Sequence, residues 1–209
     1  MKLAAQLQSL LTTHQTAHRG VFSTDELRAL LGTVHEKSLQ RAIQDLQHTG
    51  TLTRFCRGLY VTAAFDLEMV SQRLAPNSYI SCGSALARAL LIGSIPQKTV
   101  YAVKQGVSRM YRSAVGSVIH FGFGAPTRDL FFGYCATANG ICYADSEKAW
   151  LDTLYFYQSG YCFSFDIYSD VDMSRLNGAR IRRYLRRYKN PRFVQFVKGV
   201  LAHAVDRVE

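Results

Sequence analysis

Carboxylates are scarce in this chain: 15 Asp and Glu stand against 25 Lys and Arg in 209 residues, a net charge of +10. No Asp or Glu lies between Asp172 and Asp206. No Ser, Cys or Lys sits in a nucleophile–base signature, which speaks against covalent hydrolytic chemistry. Long hydrophobic runs are missing too. The longest, around residues 85–92 and 130–135, fall well short of the roughly 18 residues that a membrane-crossing helix requires. The opening Met1-Lys-Leu-Ala-Ala-Gln-Leu-Gln is broken by Gln6, Gln8 and Thr12 and lacks the apolar core of a signal peptide. The five cysteines, Cys56, Cys82, Cys135, Cys142 and Cys162, are odd in number and form no C-x-x-C pair. That excludes a fully paired disulfide framework and argues against a zinc cluster. Reduced, mostly buried thiols of a cytoplasmic protein are expected. His14 and His18 have a metal-compatible spacing, but no Cys or carboxylate joins them nearby, so neither a metal nor a cofactor is expected.

What is present is a globular composition, 48% hydrophobic and 19% charged. The positive balance favours a polyanionic partner, although a basic chain need not bind one.

Apolar residues at helical spacing place a first helix over residues 3–17, with Leu3, Leu7, Leu10 and Leu11 as its stripe. Ser23-Thr-Asp-Glu26 has capping-box spacing and opens a second helix that Gly32 closes; Phe22 and Leu27 are placed for a hydrophobic staple. A third helix starts near His35 and buries Leu39, Ala42, Ile43 and Leu46 on one face. Its other face carries Lys37, Ser38, Gln40, Arg41 and Gln44, whose side chains can bond phosphates and base edges. Gly50 ends that helix. Two short strands follow, residues 51–55 and 59–61, around Cys56-Arg-Gly58, with Arg54 and Arg57 on the hairpin. Helix, turn, helix and basic hairpin in this order read as a winged helix-turn-helix, a DNA-binding module that also serves protein–protein contacts.

From residue 67 a second domain is expected. It begins with a connector helix over residues 66–74, a strand at Tyr79-Ile80, and a helix over residues 82–91 that Ser81 caps. A turn at Gly93-Ser-Ile-Pro96 precedes strands at residues 99–103, 117–121 and 130–134. Ile141-Cys-Tyr143 pairs with the last of these through Asn139-Gly140. Asp145 or Ser146 caps a helix with Glu147 in its first turn, a cap-and-dipole reading of Asp145, Glu147 and Asp152 that competes with a metal-dependent nuclease cluster.

Gly50, Leu52, Arg54, Arg57, Gly58 and Tyr60 match a G-x-L-x-R…R-G-x-Y pattern. Tyr79, Ser81, Ser84, Ala85 and Leu86 match Y-x-S-x-x-S-A-L. Ala144, Glu147, Lys148, Ala149, Leu151 and Asp152 match A-x-x-E-K-A-L-L-D, with Trp150 replacing the usual aliphatic residue. In these motifs and their order, over about residues 20–160, the chain resembles the AbiEi family, antitoxins of type IV toxin–antitoxin systems active in phage abortive infection. The resemblance implies a transcriptional autorepressor that binds promoter inverted repeats. It also implies an operon-encoded nucleotidyltransferase toxin as functional partner, not necessarily bound directly.

The C-terminal segment carries Arg175, Arg180, Arg182, Arg183, Arg186, Arg187, Lys189, Arg192 and Lys198. Wound as a helix, it aligns Ile181, Tyr184, Leu185 and Tyr188 in a narrow stripe, with Arg182, Arg183, Arg186 and Arg187 around the rest. Asn190-Pro191 then starts a last helix with Phe193, Phe196, Val197, Val200 and Leu201 inward. The like charges repel one another, so a polyanion is a natural counterpart, as is plain solvation. By count, residues 1–66 hold 7 Lys and Arg against 5 Asp and Glu, and residues 67–209 hold 18 against 10. The third helix is therefore expected to supply selectivity and the C-terminal arginines much of the affinity.

The expected fold is α+β (mixed α/β): a winged helix-turn-helix over residues 1–66, then an α/β domain over residues 67–209 with a small, mostly antiparallel sheet and a basic helical C-terminus. The expected function is a cytoplasmic DNA-binding autorepressor and antitoxin, monomeric or weakly dimeric, with no catalytic site and no membrane contact. An RNA-binding protein that shields the toxin's target is the alternative, and a metal-dependent nuclease a weaker one.

Overall fold

The computed structural model describes residues 2–93 and 98–205, with side chains through residue 203. The turn expected at Gly93-Ser-Ile-Pro96 falls mostly outside these residues. The fold is mixed α+β and forms two compact units, Met1–Val70 with Tyr111–Ser117 and Ser71–Met110 with Val118–Glu209. The division at residue 70 falls inside a helix, Leu67–Leu74, rather than at residue 66.

In the first unit, α1 (Lys2–His18), α2 (Thr24–Leu31) and α3 (Glu36–His48) surround one apolar core. Leu7, Leu11, Phe22, Leu27, Leu39, Ile43 and Leu46 are all buried, each contributing about 1.5–3 kcal/mol of hydrophobic stabilisation. β1 (Val21–Ser23), β2 (Thr53–Cys56) and β3 (Leu59–Val61) form an antiparallel sheet in the order β1-β3-β2. The capping box forms as its spacing requires. Glu26 N–H donates to Ser23 Oγ, and Ser23 N–H donates to the Glu26 carboxylate. His18 takes part in packing: its ring stacks on Phe22 at 4.8 Å, and its Nδ1 lies 3.4 Å from Glu26.

Most of a six-stranded sheet, in the order β6-β7-β5-β4-β9-β8, belongs to the second unit. Its strands are β4 (Tyr79–Ile80), β5 (Thr99–Gln105), β6 (Arg109–Ser113), β7 (Gly116–Phe123), β8 (Tyr134–Ala136) and β9 (Cys142–Ala144). β4 pairs antiparallel to β5 and parallel to β9. The helices of the second unit are α5 (Cys82–Arg88), α6 (Ser146–Gln158), α7 (Gly178–Leu185) and α8 (Pro191–Val205), and α4 (Leu67–Leu74) is divided between the units. Asp66 caps α4, accepting from Glu68 N–H at 2.8 Å.

Several expectations are corrected. The strand placed at residues 130–134 lies at Tyr134–Ala136, because Ala125–Leu130 winds into a 3-10 helix behind Pro126. β6 is an edge strand whose side chains are mostly exposed, so it lacks the apolar alternation of a half-buried strand. α5 stops at Arg88 instead of Leu91. Leu90, at φ +56°, and Leu91 return their N–H groups to Ala87 and Leu86, a Schellman ending built without glycine. α7 ends at Leu185 rather than running on, yet Tyr188 stays buried through a turn onto Leu185. Of the cysteines only Cys82 is buried; Cys135 and Cys162 are exposed. No described helix is long and apolar enough to cross a membrane.

Candidate nucleic-acid interface

α3 is amphipathic because its apolar residues recur every three or four positions, and four of them, Leu39, Ala42, Ile43 and Leu46, are buried. That orientation fixes the other face. Lys37, Ser38, Arg41 and Gln44 are exposed, and Gln40 is half-buried. Gln40 does not point freely outward: its Nε2 donates to Glu36 at 3.0 Å, and Glu36 also holds Arg28 at 2.7 Å. Glu36 and Arg28 form a small polar cluster with Asp25 at the start of α3, joining residues eight and three positions apart. His35 caps the helix, its Nδ1 accepting from Lys37 N–H.

The hairpin β2–β3 carries Arg54 and Arg57, both exposed. A bulge between Arg54 and Cys56 shifts the register, and Arg54 Nε donates to the Cys56 carbonyl. At the tip, the Gly58 carbonyl accepts from Thr24 N–H at 3.0 Å, which ties the hairpin to the start of α2. Lys37, Ser38, Arg41 and Gln44, with Arg54 and Arg57, are thus outward groups on anchored elements.

In the second unit Arg182, Arg183, Arg186, Arg187 and Lys189 are all exposed, on α7 and the turn after it. Asn177 caps α7 through Arg180 N–H. Two of these arginines lie on aromatic rings: Arg187 is 4.4 Å from the centre of Phe132, and Arg183 is 5.6 Å from Tyr184. Lys189 pairs with Asp129 at 3.1 Å, both highly exposed, a contact that adds little stability. Arg182, Arg183, Arg186 and Arg187 have no carboxylate within salt-bridge distance among the described residues. A small cavity of about 200 Å³ adjoins this turn, lined by Thr127, Tyr155, Arg187, Tyr188, Lys189 and Asn190.

The motif residues of the second unit build its interior rather than its surface. Ser81 occupies the N-cap position of α5 but its side chain makes no cap bond: its hydroxyl donates to Asp152 at 2.7 Å, and Tyr79 OH donates to the same oxygen at 3.1 Å. The other Asp152 oxygen meets Lys148 Nζ, and both side chains are fully buried. Burial pushes the Lys148 ammonium down and the Asp152 carboxyl up, and their contact opposes both shifts. Lys148 lies over Phe132 and Phe123, at 4.8 and 4.9 Å. Ser84 Oγ accepts from Tyr101 N–H. Glu147, buried, accepts from Asn177 N–H and from Arg180, so it anchors the start of α7 beyond any effect on its own helix dipole. Asp145 caps α6 and accepts from Tyr184 OH. Each of the three carboxylates weighed as a cluster thus has its own structural task. Among the described residues no group of three metal-binding side chains converges. The Lys148–Asp152 pair was present in the sequence as an i, i+4 spacing, but nothing in the sequence marked that helix face as buried.

No protein-family model and no curated protein matches the sequence. In structure, the chain is similar to the crystal structure of RV2827C protein from Mycobacterium tuberculosis. The TM-score is 0.64, the identity 14%, and the match covers 98% of this chain and 78% of that one. At that identity the likeness is one of fold.

Proposed function

We propose that this protein is a DNA-binding transcriptional regulator in which α2, α3 and the β2–β3 hairpin act as a winged helix-turn-helix. The observation that carries the proposal is the outward face of α3. Lys37, Ser38, Arg41 and Gln44 are exposed opposite a fully buried stripe, with the arginines of an anchored hairpin following in the same unit. The exposed arginines around α7 supply a second polyanion-binding surface. Together with the motif resemblance, this supports an AbiEi-type antitoxin that represses its own promoter and counters a nucleotidyltransferase toxin. No catalytic role falls to Asp145, Glu147 or Asp152, each of which is engaged in a cap, an anchor or a buried pair.

The test is a set of gel-shift titrations on the DNA upstream of the gene at several salt concentrations, with competitor duplex and tRNA-like RNA. Arg41→Ala and Gln44→Ala should each cost roughly 1–3 kcal/mol at the contacted base and relax selectivity. Arg186→Ala should weaken all sequences alike and shallow the salt slope by about one. Wild-type binding by all three variants, or preference for the RNA, refutes the proposal. Chelator-sensitive cleavage of either nucleic acid refutes the non-catalytic reading.

A further inference from the structure

A cleft of about 420 Å³ opens in the second unit beside β6 and the end of α6, and none of its lining residues is among those assigned above to duplex contact. Its size falls within the roughly 300–1,000 Å³ of small-molecule sites. Its lining combines two kinds of chemistry. Buried Phe121 and Phe156 and half-buried Tyr161 make its lining aromatic, and Met110, exposed on β6, adds a thioether that adapts to flat rings. Phe121 and Phe156 are stacked at 4.4 Å, while Tyr161 stands nearly perpendicular to Phe121 at 4.7 Å. Phe121 and Phe156 are themselves buried, so a planar ring entering the cleft meets chiefly Tyr161 and Met110. Arg109 and Ser108 also line the cleft. Ser108 Oγ accepts from Gly122 N–H, which leaves its own proton to donate. His120, another lining residue, has its imidazole pushed down to about 4, first by burial and then by Lys104. No Asp or Glu lines the cleft among the described residues.

Aromatic and thioether surface beside an exposed arginine, with no carboxylate in the lining to repel an anion, suits a planar ring that carries a phosphate. We propose that this cleft binds a nucleotide, the base against Tyr161 and Met110 and the phosphate at Arg109. A base inside a duplex cannot reach such a cleft, so the occupant is either a free mononucleotide or an unpaired base of a single strand.

The experiment is calorimetric titration of the full chain with adenosine, adenosine 5′-monophosphate and a single-stranded oligoadenylate of eight nucleotides. Arg109→Gln, Tyr161→Phe and Tyr161→Ala variants are titrated alongside. Base stacking on an aromatic side chain predicts that Tyr161→Ala weakens every bound probe roughly fivefold to 150-fold, while Tyr161→Phe stays near wild type. Arg109→Gln should weaken the phosphate-bearing probes and leave adenosine unchanged. Arg109 is exposed, so this variant tests the cleft even where Tyr161→Ala fails to fold. Binding of the monophosphate supports a free nucleotide; binding of the oligomer alone supports an unpaired base. No binding of any probe at millimolar concentration overturns the proposal, as does binding indifferent to Arg109→Gln.

Discussion

Replacing Asp152 with Asn changes a charge and little else. The amide keeps the volume, and its carbonyl oxygen can still accept from Ser81 or Tyr79, which lie 2.7 and 3.1 Å from one Asp152 oxygen. What disappears is the partner of Lys148, a fully buried ammonium. The rings of Phe132 and Phe123 offer it about 2 kcal/mol by cation–π attraction, less than the several kcal/mol that its desolvation costs. The lysine has one escape, which is to lose its proton. From an ordinary pKa near 10.4, deprotonation at pH 7 costs about 4.6 kcal/mol, which caps the penalty. Asp152→Asn should therefore destabilise by about 3–5 kcal/mol at pH 7, in line with other broken buried pairs. The cap also predicts a pH signature. With Lys148 neutral in the folded variant and protonated in the unfolded chain, the unfolded state binds one more proton. Stability then rises with pH, by about 1.4 kcal/mol per pH unit, from 7 toward 10. The assay is urea unfolding of wild type and variant at pH 7, 8 and 9. Adding Lys148→Met to Asp152→Asn should flatten the slope and restore most of the stability. A single variant that loses less than 1 kcal/mol at pH 7, with no pH slope, refutes the reasoning.

Other outcomes follow from local geometry. Burial, with a contribution from Lys104, lowers the His120 imidazole to about 4, while its hydrogen bond with Ser71 opposes the shift. The folded state stays neutral where the unfolded chain takes up a proton, so stability present above pH 6.5 is lost as pH falls toward 4, by up to about 3 kcal/mol. In His120→Gln, urea midpoints measured across that window should vary less. Ser23→Ala removes one half of the capping box and should cost about 1 kcal/mol by thermal unfolding. Gly20 has φ +70°, and a Cβ there would sit 2.4 Å from the Ala64 carbonyl oxygen. Gly20→Ala should therefore cost well over 1 kcal/mol and shift the melting of the first unit; a neutral result would sink the steric argument.

The parts of the fold that the sequence made legible are those set by neighbours in the chain. The Ser23–Glu26 box, the stripe of α3 and the Asn139-Gly140 hairpin each depend on residues one to four positions apart. The outward face of α3 followed from its buried one, so its exposed side chains were identifiable without coordinates. Distant contacts were not legible. Ser81 at a helix start looks like a cap, and only an Asp152 brought alongside from 71 positions away gives its hydroxyl a better acceptor. Gln40 looked like a base-reading amide, whereas Glu36 one turn earlier holds it. β6 was invisible because an exposed edge strand has no apolar face to betray it. The aromatic cleft gathers residues from β6, β7 and α6, and no local pattern marks such a gathering.

Arg187 and Arg183, laid on Phe132 and Tyr184, have a thermodynamic consequence. An arginine moving freely in solvent loses about 0.5–1.5 kcal/mol of conformational freedom when a ligand fixes it. A guanidinium already resting on a ring has surrendered much of that freedom during folding, while its N–H edges remain turned toward water. Any polyanion that reaches α7 therefore meets donors whose disorder has largely been removed in advance. Exchanging either arginine for lysine would keep the charge and discard that preorganisation.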